Sequence, residues 1–216
     1  MDAVLLVGGC TAAVLALWWQ LESKLEGRRA ARETLSTREF AEVYDGATEL
    51  WAAAGQGGGG PSKGVRVVIF TDFQCPFCAL LHKDLTRLHE SDSLRGVAVS
   101  IRHAPASRRH PLAWRIALGA ECASLNGRAK AYADSAFGWQ LDIADHLDSL
   151  AGIGGRGDGV RWRSCLESER TRMRLQSDTL LARKYGVRGT PTMFVNGQRV
   201  TGAVPSDSLL RLLSTL

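Results

Sequence analysis

Apolar residues follow two different spacings in the C-terminal three quarters of the chain. Residues 65–70 and 97–101 are short, β-branched apolar runs of strand length, whereas apolar residues between 79 and 88 recur at helical spacing. A further apolar run at 193–195 precedes Asn196-Gly197, a strong hairpin-turn signal. The alternation of strands with a helix predicts an α/β fold.

About ninety residues separate the strand that ends near 101 from the one that begins at 192. Helical spacing of apolar residues within this interval predicts a helical insertion, with helices at 112–125, 129–137, 143–150 and 175–185. Residues 152–157 match the pattern G-x-G-x-x-G, but no strand precedes them, so a dinucleotide site is excluded. We expect these glycines to form a loop between insertion helices.

Cys75-Pro76-Phe77-Cys78 stands where the first strand gives way to the following helix. A thiol in a first helical turn faces unpaired backbone N–H groups and the positive end of the helix dipole, which favour the thiolate. Pro76 suits this position because its missing N–H would have no helical partner. A C-x-x-C at such a junction predicts a redox pair.

Metal binding is the alternative interpretation of these two thiols. A structural zinc site needs four ligands and usually a second cysteine pair, which the chain lacks. His82 lies four residues after Cys78 on the same predicted helix. Cys75, Cys78 and His82 therefore remain a candidate three-ligand set.

Three segments together resemble the DsbA-like thiol–disulfide oxidoreductases of the thioredoxin superfamily. They are Thr-Asp-Phe-Gln-Cys-Pro-Phe-Cys (71–78), Gly-Val-Arg-Gly-Thr-Pro-Thr (186–192) and Phe-Val-Asn-Gly (194–197). The resemblance covers residues 61–216, and implies a thioredoxin-like α/β domain with an inserted helical subdomain at about 105–180.

The resemblance also implies roles for individual residues. Cys75 is expected to be the exposed nucleophile and Cys78 the buried resolving thiol. Pro191 is expected to be a cis-proline beside the pair, and the backbone of Thr190 to pair with an extended substrate peptide. Neither a cofactor nor a metal is expected.

The sequence departs from the best-known members at two supporting positions. Phe77 stands where they have a histidine, and a phenyl ring offers no comparable hydrogen-bond donor. Ile69 stands where they bury an acid, and the chain instead carries Asp72, three residues before Cys75. Asp72 is either a proton shuttle or a turn or helix-cap carboxylate. The departures leave the direction of electron flow open.

Residues 3–19 carry no charge and only Thr11 as a clearly polar residue. At about 1.5 Å per residue they span about 25 Å, and Trp18 and Trp19 fit an interfacial anchor. Because no small-residue cleavage pattern follows, residues 1–19 are predicted to be an uncleaved transmembrane signal anchor, a buried soluble helix being the alternative. Residues 20–60 are predicted to be a helical tether and a glycine-rich linker. Within them, residues 20–54 are predicted to form a tether followed by an amphipathic helix, and the glycine-rich linker begins at Gly55.

The charges that follow the predicted span conflict with the resemblance. Lys24, Arg28, Arg29 and Arg32 would hold the downstream domain in the cytoplasm by the positive-inside rule. The resemblance implies a single-pass protein of the cell membrane with its catalytic domain in the periplasm or on the outer face. We expect export, because large domains translocate largely regardless of charge.

Cys122 and Cys165 both fall within the helical insertion. In an oxidising compartment two such thiols are expected to form a structural disulfide, which would stabilise the fold by about 4 kcal/mol in the chain-entropy model. Two buried free thiols are the alternative, and a shuttle of oxidation to Cys75 is a third interpretation.

The 216-residue chain has 27 Lys and Arg against 22 Asp and Glu. Residues 156–199 hold ten Lys and Arg against four Asp and Glu, and there we expect solvated helix surface rather than a site for anionic headgroups or acidic clients. No aromatic residues alternate with these charges as in nucleic-acid modules, so nucleic-acid binding is excluded.

The expected function is a membrane-tethered, extracytoplasmic oxidase that donates its disulfide to cysteine-containing clients and is reoxidised by a quinone-linked membrane oxidase. One alternative is a reductase or isomerase fed by a membrane electron donor. Another, from a different class, is a metal-binding assembly factor.

Overall fold

A computed structural model of the protein describes residues 34–53 and 64–214, together with Trp18 and Gln20. Its elements are, in chain order, α1 (Thr37–Tyr44), β1 (Thr48–Trp51), β2 (Val65–Thr71), α2 (Pro76–Glu90), β3 (Val97–His103), α3 (Ala113–Leu125), α4 (Ala129–Gly138), α5 (Leu147–Gly155), α6 (Gly159–Glu167), α7 (Glu169–Lys184), β4 (Thr192–Val195), β5 (Gln198–Thr201) and α8 (Ser206–Ser214).

Five strands form one mixed sheet in the order β1-β3-β2-β4-β5. β2 and β3 are parallel because α2 carries the chain back between them, whereas the other neighbouring strands are antiparallel. Successive side chains of β2 enter opposite cores: Val67 and Ile69 pack in one cluster, and Val68 and Phe70 in the other. Helices cover both faces, which confirms the predicted α/β fold.

Helices α3 to α7 occupy the chain between β3 and β4, where the helical insertion was predicted. A disulfide joins Cys122 of α3 to Cys165 of α6, with their Cα atoms 5.9 Å apart. A buried ion pair fixes α7 to the sheet, since Arg102 Nη1 of β3 lies 2.5 Å from Asp178 Oδ1 of α7. The ion pair therefore connects the last helix of the insertion to the sheet, and the disulfide links two helices within the insertion.

The predicted amphipathic helix through residue 54 was wrong for its second half. α1 ends at Tyr44, and Thr48–Trp51 form an edge strand that pairs antiparallel with β3. The physical reason is burial: Leu50 and Trp51 enter the core through long-range contacts with the sheet, while Glu49 stays exposed. Residues 34–53 thus belong to the folded unit, although the sequence suggested a tether.

The predicted glycine loop at 152–157 was also wrong in part, because α5 continues to Gly155. A Cβ atom at Gly154 would lie 2.6 Å from ring atoms of Trp162. The glycines therefore let α5 pack closely against the indole of α6 rather than open a loop.

The predicted signal anchor at 1–19 lies outside the described residues apart from Trp18, and the tether at 20–33 lies outside them apart from Gln20. The glycine-rich linker likewise falls within residues 54–63, which are not described. Within the described part of the chain, every helix is too short or too polar to cross a membrane.

Candidate active site

The head of α2 holds both cysteines of the C-x-x-C motif. Cys75 is the N-cap residue of α2 and Pro76 begins the helix, as the sequence predicted. The backbone N–H of Cys75 donates to Asp72 O at 3.0 Å, and the N–H groups of Cys78 and Ala79 donate to Cys75 O at 3.0 and 3.2 Å. These bonds fix the Cys75 backbone at the point where β2 turns into α2.

The Cys75 sulfur lies 3.2 Å from the carbonyl oxygen of Thr190. Hydrogen bonds from the Cys78 thiol, the Thr190 side chain and the backbone N–H groups of Cys78 and Phe77 lower the pKa of Cys75 from 9.0 to about 5, although burial opposes the shift. Cys75 is therefore a thiolate at neutral pH, and a thiolate is the reactive form in disulfide exchange.

Cys78 meets the opposite conditions one turn into the helix. Burial raises the pKa of its thiol, and the neighbouring Cys75 raises it further. Cys78 accordingly keeps its proton and donates it toward the Cys75 sulfur. The two thiols, both free in the structure, are therefore chemically unequal.

The expectation of an exposed Cys75 needs correction. Only 6% of Cys75 is exposed, against 2% of Cys78, because Thr190 packs over its sulfur. Phe77, in contrast, is 59% exposed at the surface next to the pair. Cys75 therefore lines a cleft and does not lie on an open surface.

The Thr190–Pro191 peptide bond is cis, and Pro191 is buried immediately before β4. The motif at 189–192 is thus in contact with Cys75, although the two are more than a hundred residues apart in sequence. The assignment of Thr190 to substrate pairing remains a prediction, as do the catalytic roles of Cys75, Cys78 and Pro191.

Asp72 organises the loops around the pair. Its Oδ1 accepts a bond from the Gln74 N–H at 2.8 Å, and its Oδ2 accepts one from the Ala106 N–H at 2.7 Å. Oδ2 also lies 2.8 Å from His110 Nδ1. Since both oxygens have partners in these loops, the contacts favour the turn carboxylate over the proton shuttle.

Gln140 is a site residue that sequence analysis missed. It follows α4, and its Nε2 donates to Phe73 O at 2.8 Å and to Cys75 O at 3.0 Å. The insertion thereby contributes hydrogen bonds that fix the backbone of residues 73–75, which carries the reactive sulfur. No local signal distinguishes Gln140 from a surface glutamine, because its partners lie more than sixty residues away.

The structure does not bring His82 into a metal site with the two cysteines. His82 Nε2 lies 2.9 Å from Asp134 Oδ1, and the imidazole packs against Phe137 with ring centroids 4.7 Å apart. Among the described residues, no three histidine, cysteine or acidic side chains form a metal-binding group. His82 instead serves the contact between α2 and α4.

A cleft of about 800 Å³ opens beside the pair. The loop that follows β3 forms one wall, and the end of α7 with the loop leading to Thr190 forms the other. Cys75, Phe77 and Thr190 all line the cleft. The reactive sulfur and the residue before the cis-proline therefore share one concave surface.

A family model described as a DSBA-like thioredoxin domain matches residues 66–214. Among curated relatives, the Na(+)/H(+) antiporter NhaA 1 of Mycolicibacterium gilvum is 31% identical over 159 residues, which cover 72% of this chain and 25% of the antiporter. The chain spans about a quarter of the length of the curated relatives it matches.

Two solved structures share the fold. The thiol-disulfide exchange protein α-DsbA2 from Wolbachia pipientis has a TM-score of 0.65 at 17% identity, covering 83% of this chain and 92% of that one. A periplasmic thioredoxin-like protein from Salmonella enterica serovar Typhimurium has a TM-score of 0.64 at 20% identity, covering 84% and 97%. With the family model spanning most of its length, the chain belongs to the DsbA-like thioredoxin family.

Proposed function

We propose that this chain is a thiol–disulfide oxidoreductase that exchanges disulfides with protein clients through Cys75 and Cys78, working as an oxidase. The observation that carries the proposal is the inequality of the two thiols at the head of α2. Cys75 has a pKa of about 5 and lines a cleft, whereas burial raises the pKa of Cys78.

The exchange proceeds in two displacements. In the oxidised protein a client thiolate attacks Cys75 Sγ, the Cys75–Cys78 bond breaks, and Cys78 leaves and takes up a proton. A second client thiolate then attacks the client sulfur of the mixed disulfide and expels Cys75 as a thiolate. The client gains a disulfide, and two electrons pass to the Cys75–Cys78 pair.

The low pKa of Cys75 supports the oxidase direction. A thiolate that is stable at neutral pH is a good leaving group in the second displacement, and it stabilises the reduced protein relative to the oxidised one. A reductase or isomerase is the alternative within this chemistry.

We extend the proposal to the cellular setting of the reaction. Residues 1–19 anchor the chain in the cell membrane, the catalytic domain is extracytoplasmic, and a quinone-linked membrane oxidase restores the disulfide. The uncharged run at 3–19, which ends in Trp18 and Trp19, supports the anchor.

The test uses the oxidised protein and a reduced peptide that contains two cysteines. We expect the peptide to become internally disulfide-bonded while Cys75 and Cys78 become reduced, with the Cys75→Ser/Cys78→Ser variant as the control. Peptide oxidation no faster than with this control would exclude the activity. Equilibration with glutathione gives the direction: a potential above about −180 mV supports an oxidase, and one near about −270 mV indicates a reductase.

A further inference from the structure

Four arginines from separate stretches of the chain line the cleft beside Cys75. Arg108 and Arg109 lie on the loop after β3, Arg183 is near the end of α7, and Arg188 is two residues before Thr190. All four are exposed. In the described part of the chain, no aspartate or glutamate lines this cleft.

These arginines lack the carboxylate partners that Arg87 and Arg161 have. Arg87 pairs with Asp84 at 3.2 Å and Arg161 with Asp158 at 3.3 Å, each within one helical turn. Among the described residues, no carboxylate lies within 4.0 Å of any cleft arginine. The positive charge of the cleft is therefore available to a ligand.

A second cleft, on the other side of α2, shows that this charge pattern is local. Its lining mixes Lys83, Arg87 and Lys130 with Glu90 and Asp134, so cations and anions stand side by side. Among the described residues, the cleft at Cys75 is lined by arginines and by no carboxylate, within a concave surface of about 800 Å³ that also reaches Thr190. The charge thus concentrates where a client chain approaches the reactive sulfur.

We propose that this cationic cleft selects clients whose reactive cysteine is flanked by aspartate or glutamate in an extended segment. The proposal rests on the proposed function and adds its substrate class. Arginines spread over two facing walls raise the local concentration of an acidic segment and orient it along the cleft. A concave site that includes Cys75 suits a peptide better than the surface of an anionic membrane.

The test compares two peptides that share one cysteine and differ in having aspartates or lysines around it. The measured quantity is the rate constant for attack of the peptide thiolate on the oxidised protein, corrected for the pKa of each peptide thiol. We expect the acidic peptide to react about tenfold faster at low ionic strength, as several exposed charge pairs allow. The preference should fall below about twofold in about 0.5 M salt, because the Debye length shortens.

The decisive variant is Arg108→Glu/Arg188→Glu, which reverses one charge on each wall. We expect it to abolish or invert the preference, whereas Arg170→Glu/Arg172→Glu, an equal charge change at exposed positions of α7 outside the cleft lining, should keep it. The salt dependence of the unaltered protein is an independent readout should the cleft variant fail to fold.

The possible results separate this inference from the proposed function. Equal rates for both peptides, or a preference that survives in the cleft variant, would overturn the acidic substrate class and leave the redox function standing. Binding to anionic vesicles through the same arginines without any peptide preference would overturn it too. Exchange with neither peptide would contradict the proposed function itself.

Discussion

At the scale of single residues, Cys75 and Cys78 show how one helical turn separates two thiols chemically. Cys75 caps α2, where the Cys78 thiol and the backbone N–H groups of Cys78 and Phe77 stabilise the charged sulfur. Cys78 lies within the helix with 2% of its surface exposed. Hydrogen bonding outweighs burial at Cys75 and burial prevails at Cys78, so negative charge rests on the cysteine that lines the cleft.

The first prediction concerns the pH dependence of Cys75 alkylation. In the reduced protein, the rate of reaction with iodoacetamide should rise through a midpoint near pH 5 and stay flat at higher pH, since the pKa of Cys75 is lowered to about 5. Cys78→Ala removes the principal donor and should move the midpoint upward. A midpoint near about 8.5, the value of an unperturbed cysteine, would contradict the assignment.

The same shift links redox state to stability. The folded pKa of Cys75 is below the unfolded value, so its stabilising effect on the reduced protein is complete above about pH 8.5 and is lost as pH falls toward 5. The oxidised protein has no titrating thiol at these positions. The free energy of unfolding of the reduced protein, minus that of the oxidised protein, should therefore increase as pH rises from about 5 to about 8.5. Urea unfolding of both forms measures this quantity.

At the scale of elements, the contact between the insertion and the head of α2 depends on Gln140. Gln140→Leu keeps the bulk but removes the side-chain donor to Phe73 O and Cys75 O, while Cys75 O keeps its backbone donors in α2. We expect amide hydrogen exchange at residues 72–78 to become about tenfold faster, because the loss of two hydrogen bonds opens this segment locally. Mass spectrometry of exchanged peptides measures the effect.

Gln176→Leu is the matched control, because Gln176 is an exposed glutamine of α7. It should leave exchange at residues 72–78 unchanged. If Gln140→Leu accelerates exchange equally across α3 to α7, the residue supports the whole insertion and does not position the cysteine loop. Unchanged exchange at 72–78 would show that the two carbonyls need no side-chain donor.

The disulfide between α3 and α6 is expected to stabilise the insertion without taking part in turnover. The bond closes a sequence separation of 43 residues. Its removal in Cys122→Ala/Cys165→Ala should cost about 4 kcal/mol of the free energy of unfolding. For a domain of this size, that loss corresponds to a decrease in Tm of about 10 °C. Oxidation of a two-cysteine peptide should continue at the original rate.

The control is the Cys75→Ser/Cys78→Ser variant, in which the Cys122–Cys165 bond is the disulfide that remains among the described residues. Adding a reductant to it should lower Tm by a similar amount. A loss of turnover in Cys122→Ala/Cys165→Ala at a temperature where the variant is folded would favour the shuttle of oxidation to Cys75.

Elements with local signals were predictable from the sequence, and elements defined by distant contacts were not. The β-branched run before Cys75, the apolar spacing after it and the hairpin signal Asn196-Gly197 each determine nearby backbone. β1 has too few residues for a periodic pattern, and only its pairing with β3 makes it a strand. The need for glycine at 154 likewise arises from a tertiary contact, because the indole of Trp162 leaves no room for a Cβ atom there.

At the scale of the whole molecule, the same distinction applies to the site. The motif at 71–78 and the motif at 186–192 were recognisable separately, and the fold brings them together at 3.2 Å between Cys75 Sγ and Thr190 O. Gln140, Arg108, Arg109 and Arg183 come from stretches with no motif, and the motif that contains Arg188 assigns it no role, so only the folded chain reveals these residues as parts of the site. The sequence therefore predicted the cysteine pair and the cis-proline motif, and the structure adds the residues that position the pair and line the cleft beside it.

The direct test of Cys75 as the reacting sulfur uses two single-serine variants, each reduced and mixed with a disulfide-bonded client such as insulin. Cys78→Ser should accumulate a mixed disulfide that peptide mapping assigns to Cys75, because no resolving thiol remains to release the client. Cys75→Ser should accumulate none, since the remaining Cys78 is buried with a raised pKa. A mixed disulfide on Cys78 in Cys75→Ser, with none on Cys75 in Cys78→Ser, would show that the roles are reversed.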